Sequence, residues 1–323
     1  RLGCKLYLPI VARDFMGNEN QPTEAAKKPS KSKVFFSRLA STLFLWTIVI
    51  GGLFSGNQAI SSGVFIVVML ILVATGLLEF YNMARAKGLP CYRGLGVWSG
   101  CLLFFGTWLH SSGWLGIHGT PARVNDFESM FLIAFVLGLC IRQFVEKENT
   151  RGIVTMAVTL FGIMYVAWLL NFVQKIYFFQ DQRVEGTYYI VYFIIVTKFS
   201  DMGAYLVGSM IGKHKMIPRI SPGKTWEGFG GAIVISTGAS LLFAHLFRDH
   251  LVGMTTMHAV VLGVMLSLAA VIGDLIESLM KREAGVKDSG SYFPGIGGIL
   301  DLLDSLLFNA PLMYLYLRHV LTN

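Results

Sequence analysis

The feature that most constrains this chain is the recurrence of apolar runs of roughly 17–25 residues, each long enough to cross a bilayer as a helix. In lipid, such a run satisfies its backbone polar groups only by helix formation. Nine spans are predicted, at 36–55, 61–84, 94–110, 128–145, 152–173, 187–210, 229–247, 256–280 and 296–318. Segment 94–110 is short and broken by glycine. Charged residues make up 14% of the chain, against about 25% in soluble domains. The expected fold is therefore an all-α polytopic membrane protein with a polar cavity facing the cytoplasm. Residues 14–33 are polar, and Arg1 to Lys33 lacks an apolar core of signal-peptide length. The chain divides into a mobile cytoplasmic tail, 1–34, and a membrane-embedded domain, 35–323.

The cations set an orientation. With the N-terminus in the cytoplasm, 21 of the 27 Lys and Arg fall in the tail, 85–93, 142–151, 213–224 and 281–287, while five fall on the opposite side and Lys198 lies within a span. This is the asymmetry of a protein with N-terminus inside and C-terminus outside. The net charge of +8 thus reads as topology signals beside anionic lipid rather than as a nucleic-acid surface. Cys4, Cys91, Cys101 and Cys140 are scattered and imply no disulfide framework. The seven histidines form no zinc-like cluster, and no Gly-x-Ser-x-Gly elbow is present.

Two charged clusters then lie on the cytoplasmic side. In the span 256–280 the sequence is apolar from Ala259 to Ile272 and then places Asp274, Ser278 and Lys281 on one helical face, with Glu277 beside them. Arg282 can snorkel to the interface, but Asp274 sits about two turns deeper. Charges at that depth are usually kept for a site. The last span opens on Pro294-Gly295-Ile296-Gly297-Gly298, where glycines let backbone N–H groups approach an anion. Asp301 and Asp304 follow at i, i+3. Two carboxylates so placed repel one another unless a divalent cation joins them, one is protonated, or one pairs with Arg282 or Lys287. A divalent metal is the favoured reading.

The second cluster is Gly212 to Gly228, with Arg219, Ser221, Lys224, Thr225, Trp226 and Glu227. Gly223-Lys224-Thr225 is not a P-loop, because the earlier glycine required by that motif falls at Pro218. A basic loop with hydroxyls and an indole can clamp phosphates and cover a base, or be a plain cytoplasmic loop. Lys198 and Asp201, at i, i+3, either neutralise each other or line the same cavity. Glu79 is a further acid near a helix end, with no partner identified by the sequence.

These residues resemble a known family. Ser278-x-x-Lys281-Arg282-x4-Lys287-Asp288, followed by Pro294-Gly295-x-Gly297-Gly298-x-x-Asp301-x-x-Asp304, is similar to the signature of phosphatidate cytidylyltransferases. Ser200-Asp201-x-Gly203-Ala204-Tyr205 and Ser221-Pro-x-Lys224-Thr225-Trp226-Glu227-Gly228 resemble other segments of that family. The resemblance covers roughly 35–320. It departs at Ile296, where the family usually has His, and at Leu302, where it usually has Arg. It implies transfer of a cytidylyl group from CTP to phosphatidic acid, at an active site facing the cytoplasm of a bacterial inner membrane. It implies a Mg²⁺ centre at Asp274, Asp301 and Asp304, with Ser278 alongside and Asp288 and Asp201 as further acids; Mn²⁺ and a monovalent co-ion are left open. Lys281, Arg282 and Lys287 join the catalytic set. Asp201, Arg219, Ser221, Lys224, Thr225, Trp226, Gly297 and Gly298 form the substrate-binding set. Partners are CTP, phosphatidic acid and membrane lipid, with a homodimer left open and no nucleic acid. Two rivals are a CTP-using polyprenol or dolichol kinase and a transporter with intramembrane acids; no repeated half of the kind found in many transporters is evident.

Overall fold

A computed structural model describes residues 51–52, 54–114, 121–147, 151–181, 184–290 and 297–322. The tail 1–34 and nearly all of the expected span 36–55 lie outside the described residues, as do Pro294, Gly295 and Ile296. The helices are α1 (Gln58–Ala86), α2 (Arg93–Ser111), α3 (Pro121–Val145), α4 (Gly152–Gly162), α5 (Leu169–Tyr177), α6 (Gly186–Ile211), α7 (Trp226–Leu246), α8 (Thr256–Glu283) and α9 (Ile299–Tyr316). A π-helical segment, Ile163–Trp168, joins α4 to α5, and another, Leu317–Leu321, follows α9. The chain is a polytopic helical membrane protein. Among the described residues seven helical stretches are long and apolar enough to cross a bilayer, with α4 through α5 counted as one. The expected segment 94–110 forms α2 but is not among the seven. Its tryptophans, histidine and four glycines explain why it falls short of the apolarity of a spanning helix.

The ends of these helices follow from local chemistry. Thr255 caps α8 by accepting from His258 N at 3.3 Å. At the other end Gly285, at φ +73°, turns the chain back, with Val286 N bonded to Lys281 O at 3.0 Å. Helices α6 to α9 pack consecutively, and α1 and α5 both lean on α9. Small residues allow the closest of these approaches. A side chain at Gly203 of α6 would meet the Gly231 carbonyl of α7 at 2.7 Å.

Between α6 and α7 the chain forms a short hairpin, β3 (Lys215–Ile217) with β4 (Ser221–Thr225), pairing Lys215 with Thr225 and Ile217 with Ser221. Its base is fixed by Trp226 N to His214 O at 2.9 Å and by Glu227, which accepts from the backbone of Lys213 and His214 and contacts His214 Nδ1 at 2.6 Å. The strands β1 (Gln180–Asp181) and β2 (Val184–Glu185) form a second small ladder before α6.

Candidate active site

A cleft of about 500 Å³ opens between α6, the hairpin, the start of α7 and α8. It brings together Asp201, Ser221, Lys224, Thr225 and Asp274, all expected site residues, with Lys215, Tyr205 and Phe229 on its walls. Lys224 Nζ reaches across to Asp274 Oδ2 at 2.7 Å and to the Val271 carbonyl at 3.3 Å. Thr225 is buried, and its hydroxyl accepts from Gly228 N at 3.1 Å. It therefore serves as the N-cap of α7 while lining the cleft. Trp226 is exposed beside Phe229.

Beside the cleft, α8 and α9 cross where a side chain at Gly273 would strike the Asp304 carbonyl at 2.5 Å. The bare glycine lets the two backbones touch and sets Asp274 next to Asp304. Carboxylate oxygens of Asp274, Glu277 and Asp304 lie within 4.8 Å of one another. Asp304 is buried, and Glu277 is fully so. Ser278 Oγ donates to Asp274 Oδ1 at 3.3 Å. Lys281 Nζ forms an ion pair with Glu277, which also meets the Asp301 carboxyl. The buried hydroxyl of Tyr165, on the π-segment and within electrostatic reach of Glu277 and Asp304, has no hydrogen-bond partner among the described residues. Oxygen-only donors, none of them soft, suit a hard divalent cation.

Asp301 is placed differently from the sequence expectation of a shared face with Asp304. It sits at the third position of α9 and folds back. Its Oδ2 accepts from Gly298 N at 2.8 Å and Ser289 N at 3.2 Å, and its Oδ1 accepts from Lys281 Nζ at 2.6 Å. Asp301 thus meets the trio at Glu277, directly and through the shared Lys281 ammonium, rather than beside Asp304. The phosphate role expected of the Gly297-Gly298 turn is also met within the protein. Gly298 N serves Asp301, while Ile299 N and Leu300 N serve Glu79. Lys281 is held between Glu277 and Asp301.

Arg282 is exposed and donates to the carbonyls of Ile220 and Val286, tying the hairpin to the end of α8. Arg219, Lys287 and Asp288 are exposed and do not line the cleft. Lys198 Nζ donates to Leu302 O at 3.0 Å, Ser305 Oγ at 3.2 Å and Asp201 Oδ2 at 3.3 Å, so Lys198 pairs with Asp201, and Asp201 lines the cavity. Lys215, Ser305, Tyr165 and Glu277 stand at or beside the site without a motif in the sequence that assigns them there. Of these, Glu277 had a visible signal, its spacing from Asp274 on an apolar helix.

The cytidylyltransferase family profile matches residues 36–320, so the chain belongs to that family of membrane nucleotidyltransferases. Among its relatives, the phosphatidate cytidylyltransferase of Staphylococcus aureus strain COL is 38% identical over 62% of this chain and 73% of its own length. The enzyme of that name from Staphylococcus saprophyticus is 37% identical over 61% of this chain and 72% of its own.

Proposed function

We infer that the protein transfers the cytidylyl group of CTP to phosphatidic acid, giving CDP-diacylglycerol and pyrophosphate. The observation that carries this reading is the cleft in which Lys224 meets Asp274 beside the carboxylate trio. Cations and acids side by side suit a reaction between two anions, one from water and one from lipid. An oxygen of the lipid phosphate attacks the α-phosphorus of CTP, the bond to the β-phosphate bridge breaks, and pyrophosphate departs in line. The attacking phosphate is already largely ionised near neutral pH, so no strong base is needed. The work left to the protein is positioning and neutralisation of charge.

Lys224 and Lys215 face the triphosphate from the hairpin, Ser221 offers a hydroxyl, and Trp226 and Phe229 offer aromatic surface at the rim. Five acids, Asp201, Asp274, Glu277, Asp301 and Asp304, stand near four ammonium groups, Lys198, Lys215, Lys224 and Lys281. With all ionised, the acids outnumber the cations, and a divalent ion such as Mg²⁺ or Mn²⁺ would offset the excess. Asp274 and Asp304 would hold it, with Glu277 as the nearest third acid, and it would supply Lewis-acid polarisation of the phosphates. The site faces the cytoplasm of a bacterial inner membrane in this reading, supported by the cation asymmetry.

The test is turnover of the purified protein in detergent with phosphatidic acid, Mg²⁺ and each of the four nucleoside triphosphates. CTP alone should yield a CDP-lipid and pyrophosphate. A phosphorylated lipid with CDP as co-product would replace this reading with a lipid kinase.

A further inference from the structure

We propose that Glu79 is a positioning residue of this site: it fixes the first turn of α9, and through it the acids at the cleft, without touching substrate. The proposal rests on the cytidylyl-transfer and cation reading above. Glu79 lies near the end of α1 and is 1% exposed. A buried carboxylate is costly without donors, and Glu79 has three. Its Oε1 accepts from Ile299 N at 2.9 Å, and its Oε2 accepts from Leu300 N at 2.8 Å and Ser289 Oγ at 2.9 Å. Two of these are otherwise unpaired amides at a helix start, where a negative charge is also favoured by the dipole.

The surrounding loop is shaped around this carboxylate. A side chain at Gly290 would collide with Glu79 Oε1, and one at Gly298 would collide with both Glu79 Oε2 and Ser289 Oγ. A connected path then runs to the trio. Ser289 gives its hydroxyl to Glu79 and its N–H to Asp301. Asp301 binds Lys281, and Lys281 touches Glu277. Any shift in the first turn of α9 moves Asp301 directly and Asp304 one turn later. A buried acid that only stabilised the fold would need none of this linkage to the cleft.

Glu79→Gln keeps the volume but removes the charge and turns an NH₂ group toward donors. Mn²⁺ binding to the purified, substrate-free protein, read by electron paramagnetic resonance, should weaken by about 10-fold or more, the usual effect of losing a group that orients metal ligands. Amide exchange at Ile299 and Leu300 should speed up, and turnover at limiting Mg²⁺ should fall in step. The KM for CTP at saturating Mg²⁺ should stay within about twofold, since Glu79 contacts no nucleotide. A lower melting temperature with unchanged Mn²⁺ affinity in the folded fraction would overturn the proposal. Should Glu79→Gln fail to fold, Ser289→Ala removes one link of the path. It should weaken Mn²⁺ about 5-fold, the worth of one hydrogen bond, and an unchanged affinity would overturn the proposal equally. Wild-type protein that binds no Mn²⁺ would remove the cation reading and this proposal together, whereas wild-type binding with unaltered variants removes the proposal alone.

Discussion

Two of the buried charged clusters among the described residues are built on opposite plans. Away from the cleft, Lys175 Nζ lies 2.6 Å from Glu128 Oε2, both side chains 5% exposed. Asn171 donates to Glu128 Oε1 at 2.5 Å and to Thr107 Oγ1 at 3.0 Å, and Asn125 accepts from Lys175 at 3.1 Å. The Lys175 ammonium also lies over the rings of Phe172 and Tyr314. One acid meets one base, and each charged atom has a partner. At the cleft the acids outnumber the cations, Glu277 and Asp301 share the one ammonium of Lys281, and open volume adjoins Asp201 and Asp274. A balanced buried pair holds helices together and gains little from a ligand. An unbalanced one must take up a proton or be completed by something from outside.

Asp304→Asn breaks the unbalanced side of this comparison most severely. The amide keeps the shape and removes charge from the trio, so turnover should fall on the order of 10³-fold, equivalent to several kcal/mol of lost charge stabilisation. The folded protein should persist, since a buried repulsion is relieved. Full activity in this variant, or wild-type turnover independent of Mg²⁺, would show the acids to be structural. Lys224→Met should lower turnover on the order of 10²-fold through lost neutralisation of the transition state. Near-normal turnover would reduce the hairpin to an ordinary basic loop.

A paired measurement sharpens the trio itself. If Glu277 is the third acid, Glu277→Gln should raise the Mg²⁺ concentration for half-maximal turnover by about 10-fold or more, while Asp301→Asn acts by loosening Lys281 and the turn before α9. A larger Mg²⁺ shift for Asp301→Asn would restore the set expected from sequence. On the balanced side, Glu128→Gln leaves Lys175 buried and unpaired, and should cost roughly 3–5 kcal/mol of stability with turnover per folded molecule little changed. Adding Lys175→Met should recover most of that loss. A stable but inactive Glu128→Gln protein would erase the distinction between the two networks. Smallest in effect is a labelling test in a background without native cysteines. A Cys at Asp126 should react with an impermeant reagent from outside and one at Lys213 only after the membrane is opened; the reverse would invert the orientation.

The membrane helices were legible because long apolar runs have few alternatives in lipid. Asp274 and Asp304 were legible for the related reason that charge in such a run needs a purpose. Asp301 does not share a face with Asp304 because i, i+3 spacing puts two side chains on one face only within a helix, and at its first turn a short acid can instead fold back onto free N–H groups. Lys281 and Arg282 looked like phosphate ligands, yet their charge and donors go to Glu277, Asp301 and two carbonyls. Tyr165 carried no signal, since its role arises from a π-turn beside helices distant in sequence. Family resemblance supplied what spacing could not, the reaction and the pairing of the hairpin with the last two helices.

The tie between Glu79 and α9 spans 220 residues of chain, and this has a consequence for biogenesis. While the ribosome is still making the middle of the protein, α1 already carries its acid without the amides that will receive it, and the carboxylate trio lacks Asp304. The cavity is therefore complete only once α9 has been made and inserted. A prematurely terminated copy ending before residue 299 retains the hairpin and its lysines but not the acids of α9. It should bind nucleotide weakly and turn over none, and its Glu79 lacks the amides of Ile299 and Leu300. Pulse-chase of chains truncated at 290 should show faster degradation than the full protein, and Glu79→Ala in the truncated chain should slow it.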